Sequence, residues 1–223
     1  LTGVLLASLS VLVLHAADAP QAAPNRSAGL FPDFNWDRVP VNIHFGKRGQ
    51  MTDAELDFIE SHSEFVALEK SHGVDVHGST ERGIAETAHQ LKRRNPRVKV
   101  LFYFNAFVNW PGYEASATYR PEWTLRSMKG AVVKHPSGTP RPDPSHAEFR
   151  QWWSDIVAQA VKNGKLDGVF ADALPQSRSP ALTKMLGAEK QQAVVDGLRQ
   201  MLELTKRKMG DGRIVLANGI RAG

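Results

Sequence analysis

The chain has 223 residues, 42% of them hydrophobic and 23% charged, which is the balance of a globular domain. That length suits one ordinary or one large α/β domain and excludes a disordered, collagen-like or multi-span membrane chain. Lys and Arg number 28 against 23 Asp and Glu, a net charge of +5 with a pI near 9.6, which permits an anionic partner without demanding one. There is no cysteine, so disulfides, thiolate zinc sites, iron–sulfur clusters, a cysteine nucleophile and a lipoprotein anchor are all excluded.

The apolar run Leu1 to Leu14, followed by the small residues around His15-Ala16-Ala17-Asp18-Ala19, reads as the core and cleavage zone of a secretory signal peptide over residues 1–19. It is too short to span a bilayer. Residues 20–38 read as a flexible leader. The expected location is therefore periplasmic or extracellular, with no membrane association after processing.

From residue 39 onward, strands alternate with helices. Val41 to Phe45 is a short β-rich run. Thr52 to Ser61 follows as a helix, with Thr52 and Glu55 at the capping-box spacing. Phe65 to Glu69 is a strand, and Glu81 to Arg94 a helix with Ile84, Ala88 and Leu91 on one face. Val98 to Phe104 is rich in β-branched and aromatic residues and reads as a strand. A long loop carries Trp110, Tyr113 and Trp123, and Ala131 to Lys134 suggests one arm of a small hairpin within it. Ser145 is the expected cap of a helix reaching about Asn163. Of the adjacent Trp152 and Trp153, one at most can point fully inward. Leu166 to Ala171, Glu189 to Met209 and Arg213 to Ala217 complete the order as strand, helix and strand.

Repeated βα units imply a parallel sheet. No GxGxxG or GxxxxGK[ST] follows any strand, which weighs against a nucleotide-binding doubly wound fold. Five strands fall between Val41 and Gly223, roughly 37 residues per unit, whereas a complete (β/α)8 TIM barrel takes about 250 residues. The fold expected is an α/β (β/α)8 barrel of which residues 39–223 supply about five βα units, with the chain stopping just after a strand-like run.

Each strand delivers a polar residue at or near its C-terminal end: His44, Glu69, Asn105, Asp172 and Asn218. In a barrel these ends open onto the face where active sites lie. Asp172, at the end of the apolar Gly168-Val169-Phe170-Ala171, is the foremost candidate for a catalytic carboxylate, as nucleophile or general acid. Glu69 is the candidate second carboxylate, unless that group lies beyond Gly223. His44, Tyr103, Asn105, Trp110, Asp143 and Asn218 are the candidates for substrate binding. Asp143 either lines the cleft or fixes the turn before its helix. Aromatic faces suit pyranose rings, and they suit a loop's own small core equally well. Asp167 lies at the start of its strand and reads as a turn residue.

Two other features carry less. His72-Gly73-Val74-Asp75-Val76-His77 gathers possible metal ligands at no recognised spacing, so no metal and no cofactor is expected. The basic triplets Lys92-Arg93-Arg94 and Lys206-Arg207-Lys208 fall at helix ends, where positive charge complements the helix dipole. They lack interleaved aromatics, and no nucleic-acid partner is expected.

Asp143-Pro144-Ser145-His146-Ala147-Glu148-Phe149-Arg150-Gln151-Trp152-Trp153, with Leu166-Asp167-Gly168-Val169-Phe170-Ala171-Asp172, resembles the D-P-x-x-x-x-x-R-x-W-W … D-G-V-F-x-D arrangement of glycoside-hydrolase-like barrel proteins. These are secreted bacterial families related in pattern to α-amylase-like and polygalactosaminidase-like barrels. The resemblance covers about residues 39–220 and is dense only over 143–172. It implies a (β/α)8 fold and action on glycosidic bonds, and it places the motif's aspartates at Asp143, Asp167 and Asp172. The expected activity is that of an exported glycoside hydrolase with a carbohydrate substrate. The alternatives are a polysaccharide lyase using Tyr103 or His44 as base on an acidic glycan, and a carbohydrate-binding barrel without catalysis.

Overall fold

A computed structural model describes residues 29–32, 36–37 and 41–218. The segments read as signal peptide and most of the leader lie outside the described residues. Five strands, β1 (Asn42–Phe45), β2 (Phe65–Leu68), β3 (Lys99–Asn105), β4 (Gly168–Asp172) and β5 (Ile214–Ala217), form one parallel sheet in the order of the chain. The crossovers are helices: α1 (Asp53–His62), α2 (Val74–His77), α3 (Thr80–Arg94), α4 (Ala147–Asn163), α5 (Pro180–Leu186) and α6 (Ala188–Met209).

Local chemistry sets the helix starts. Thr52 caps α1 through the Glu55 amide, and the Glu55 carboxylate accepts from the Thr52 amide in return, the reciprocal pair its sequence spacing predicts. Ser79 caps α3. The cap of α4 is His146 rather than Ser145. The Ser145 hydroxyl donates instead to Asp143 Oδ1 at 2.6 Å, so it serves the turn before the helix. Within the long loop, residues 125–127 run antiparallel to residues 131–133 around a turn at Gly130, so Ala131 to Lys134 supplies one arm of a small hairpin as its sequence suggests. Thr124 bridges Pro142, Arg126 bridges Val132 and Lys134 bridges Pro140. The short helix α5, after a 3-10 turn at Leu174–Arg178, has no apolar periodicity long enough to announce it.

Strand alternation sorts the sheet into two faces. Val66, Leu68, Val100, Phe102, Phe104, Val169 and Ala171 lie in one buried cluster with Leu56, Ile59, Ile84, Ala88, Phe149, Trp153, Val157, Leu198 and Met201 from the helices. Ala67, Leu101 and Ile214 form a separate, smaller cluster with Phe65, Phe170 and Leu216 on the other face. Leu30 packs on that second cluster. The crossover helices thus cover one face only, which distinguishes this sheet from a doubly wound one and fits a barrel wall.

The turn after β2 is tightly built. His72 is fully buried; its Nδ1 accepts from the Lys47 amide at 3.2 Å and its Nε2 lies 2.8 Å from Thr87 Oγ1. A side chain on Gly83 of α3 would place a Cβ 2.2 Å from the His72 carbonyl oxygen, so only glycine allows this approach. His72 is a structural linchpin of the turn, and no group of three or more His, Asp or Glu side chains among the described residues is placed to hold a metal ion.

Candidate functional site

The site is built at the C-terminal ends of the strands, on the face the helices leave free. Its centre is Asp172, the last residue of β4. Tyr103 Oη donates to Asp172 Oδ2 at 2.7 Å, and Asn105 Nδ2 donates to the same oxygen at 3.2 Å. The Ala173 amide donates to Oδ1 at 2.6 Å, and Asn218 Nδ2 reaches that oxygen as well. Four donors thus converge on one carboxylate from β3, from β4's own continuation and from the residue after β5.

This convergence follows from register. Asn105 pairs with Asp172 and Tyr103 with Phe170, so alternate residues of β3 and β4 project together onto the helix-free face. Ala171 pairs with Ala217, which puts Asn218 level with Asp172. Asn105 Oδ1 accepts from the Phe107 amide at 2.9 Å, which fixes the amide orientation and turns Nδ2 toward Asp172. The end of β3 is held from behind. Tyr113 Oη donates to the Tyr103 carbonyl at 3.0 Å, and Trp153 Nε1 donates to the Asn105 carbonyl at 3.1 Å. Ala173 adopts φ 71, a left-handed conformation uncommon for a residue with a side chain, and this turns its amide back onto the preceding carboxylate.

A second group stands beside the first. Glu69 follows β2, and its Oε1 lies 3.2 Å from His44 Nε2 while Lys70 Nζ sits 2.7 Å from Oε2. The Lys70 ammonium lies 5.4 Å from the Tyr103 ring centroid and 5.5 Å from that of Trp110. The His44 ring meets Phe170 edge-on at 4.9 Å and lies 5.9 Å from Tyr103. Tyr103 is therefore the common wall of both groups. Burial, with the Asp172 carboxylate behind it, pushes the Tyr103 phenol well above the ordinary tyrosine value. It remains a hydrogen-bond donor at neutral pH.

The structure gathers His44, Glu69, Tyr103, Asn105, Trp110, Asp172 and Asn218 at one end of the sheet. Asp143 lies apart from them in its bonding. Its buried carboxylate accepts from the Ser145 amide and hydroxyl and from Lys190 Nζ at 2.6 Å, so of the two roles open to it the hydrogen bonds describe the turn. Asp167, at the opposite end of β4, accepts from the Val100 amide at 2.9 Å and from Lys92 at 2.6 Å. Most loop aromatics form their own core: Trp123 packs with Tyr119, Phe149 and Trp152 at centroid distances of 5.6–6.3 Å. Trp153 is the inward one of the tryptophan pair. The pairing of Lys70 with Glu69 is one the sequence order suggests. Phe170 as a wall of the site and the Ala173 amide escape sequence reasoning, the amide because it depends on a backbone angle.

No curated protein matches the chain. The glycoside hydrolase domain of PelA from Pseudomonas aeruginosa is similar in structure, with 14% identity and a TM-score of 0.57 over 81% of this chain and 60% of that one. TtGalA, an α-galactosidase from Thermus thermophilus seen with p-nitrophenyl α-D-galactopyranoside, gives 19% identity and a TM-score of 0.55 over 87% of this chain and 42% of its own. A hypothetical protein from Ruminiclostridium thermocellum ATCC 27405 gives 14% and 0.53, over 79% of this chain and 96% of that one. At these identities the likeness is one of fold, and the chain spans about 60% of the PelA domain's length. The family model described as Hypothetical glycosyl hydrolase family 15 matches residues 92–222, from the last turn of α3 through β3, β4 and β5. The chain belongs to this family of hypothetical glycosyl hydrolases.

Proposed function

We propose that the protein is an exported glycoside hydrolase whose five βα units belong to a (β/α)8 barrel, with Asp172 as the carboxylate acting at the anomeric carbon. The observation that carries this reading is the convergence of four donors on Asp172 at the C-terminal end of β4. A carboxylate is an acceptor-only group, and donors on both oxygens hold it in one orientation. That suits direct attack on the anomeric carbon or the activation of a water.

Glu69 is the second carboxylate in this scheme, donating a proton to the leaving oxygen, with His44 in contact to exchange that proton. Register puts Glu69 level with Tyr103 and Asp172 level with Asn105. From strand spacing and rise, the two Cα atoms are about 12 Å apart, with both side chains on the same face. Tyr103, Asn105 and Asn218 orient Asp172, and Trp110 and His44 offer ring surfaces to a sugar. The lyase alternative asks Tyr103 or His44 to be the base; a buried phenol that donates to a carboxylate is poorly suited to that role, and for either base the family match favours hydrolysis. Hydrolysis is therefore preferred. The apolar run and small residues that read as a signal peptide over residues 1–19 support export, and among the described residues no helix is long and apolar enough to cross a membrane.

The test uses Asp172→Asn and Glu69→Gln in the full-length protein against glycosides with poor and with activated leaving groups. Loss of the attacking carboxylate removes turnover of both kinds, by roughly four orders of magnitude or more. Loss of the acid spares the activated substrate, because a good leaving group needs little protonation. Wild-type turnover by Asp172→Asn would overturn the assignment.

A further inference from the structure

The two basic triplets that the catalytic reading leaves unused lie at helix C-termini, and in βα units these sit at the end of the sheet opposite Asp172. There the end of α4, the turn before β4, the end of α6 and the turn before β5 border an open cavity of about 350 Å³. Lys162, Lys165, Lys208 and Arg213 line it together with a single carboxylate, Asp155. Lys208 donates to Asp155. Among the described residues, Lys162, Lys165 and Arg213 form no ion pair. Three cations without an ion pair therefore line one concave surface, Lys162 and Lys165 from the end of α4 and the turn after it, Arg213 from the turn before β5.

Helix-dipole complementation accounts for Lys162 in the last turn of α4 and for Lys165 in the left-handed turn that ends it. It does not account for Arg213, which follows the turn after α6.

We propose that this cavity binds the anionic groups of an acidic polysaccharide, at a site on the order of 20 Å from Asp172 along β4. The volume is within the range of small-molecule sites and accommodates a sugar ring with its acid substituent. The cations supply charge-assisted hydrogen bonds to carboxylate or sulfate oxygens. No aromatic ring lines the cavity, so recognition there rests on charge and hydrogen bonds rather than on stacking. The site would hold the protein on a charged glycan while the opposite end acts; the choice of a glycan rests on the proposed function, whereas the anion site itself does not depend on the chemistry at Asp172.

The experiment measures binding of short polygalacturonate to the full-length protein and to K162Q/K165N/R213Q at physiological ionic strength, with a single-stranded oligonucleotide of matched charge as competitor. The charge-preserving K162R/K165R/R213K variant controls for packing, and thermal melting controls for folding. The expected result is salt-sensitive binding that falls roughly tenfold to a hundredfold in the neutralised variant and persists in the charge-preserving one. Turnover of a small uncharged glycoside should not change. The proposal is overturned if the wild-type protein does not bind the glycan, if the neutralised variant binds within about twofold of wild type, or if the oligonucleotide binds more tightly than the glycan.

Discussion

Acidification should act on His72 before most other groups in the fold. The imidazole is fully buried, and its Nδ1 accepts from the Lys47 amide, which fixes the neutral tautomer with the proton on Nε2 facing Thr87. Burial, helped by the nearby charges of His77 and Lys47, lowers its pKa from 6.5 to about 4. In the unfolded chain the ring takes up a proton below about pH 6.5, while in the folded chain it does so only near pH 4. The unfolded state therefore binds more protons across this window, and stability falls as pH drops from 6.5 to 4 and levels off below. A difference of that size amounts to roughly 3 kcal/mol, a large share of a domain's stability. Urea unfolding at a series of pH values would show this loss. In His72→Gln stability at pH 7 should be lower, but its decline between pH 6.5 and 4.5 should flatten. An unchanged slope in that variant would refute the assignment of the acid sensitivity to His72.

Other expectations concern the site and its supports. Tyr103→Phe removes one charge-assisted donor from Asp172 and keeps the ring, so kcat should drop by roughly tenfold to a hundredfold with little change in KM, in steady-state glycoside hydrolysis. Asp167→Ala breaks the bond to the Val100 amide and leaves Lys92 unpaired at the far end of the sheet; it should cost about 2–4 kcal/mol in denaturant unfolding while leaving kcat near wild type. Gly197→Ala would place a Cβ 2.1 Å from the Pro144 carbonyl oxygen, and the melting temperature should fall by several degrees, reflecting a loss of about 1–3 kcal/mol despite the better helix propensity of alanine.

Much of this architecture is legible in the sequence because the physics that builds it is local. The Thr52/Glu55 capping box, the β-branched run before Asn105 and the apolar stripe of α3 each announce an element from a few neighbouring residues. The polar strand ends are legible for the same reason, since a parallel sheet must bring them to one edge. What the sequence hides depends on contacts between distant segments. Ser145 looks like a helix cap until Asp143 claims its hydroxyl, and Asp143 looks like a site residue until Lys190 arrives from α6. Lys165 and Ala173 reveal nothing in their identities, because what matters is a backbone angle that glycine would normally occupy.

The hydrogen bond from Trp153 to the Asn105 carbonyl has a consequence for anyone altering this protein. Trp153 belongs to the helix layer, yet the backbone it grips carries a side chain that points through to Asp172 on the other face. Mutational libraries confined to the exposed mouth would therefore overlook a determinant of the carboxylate's placement that lies in the interior of α4.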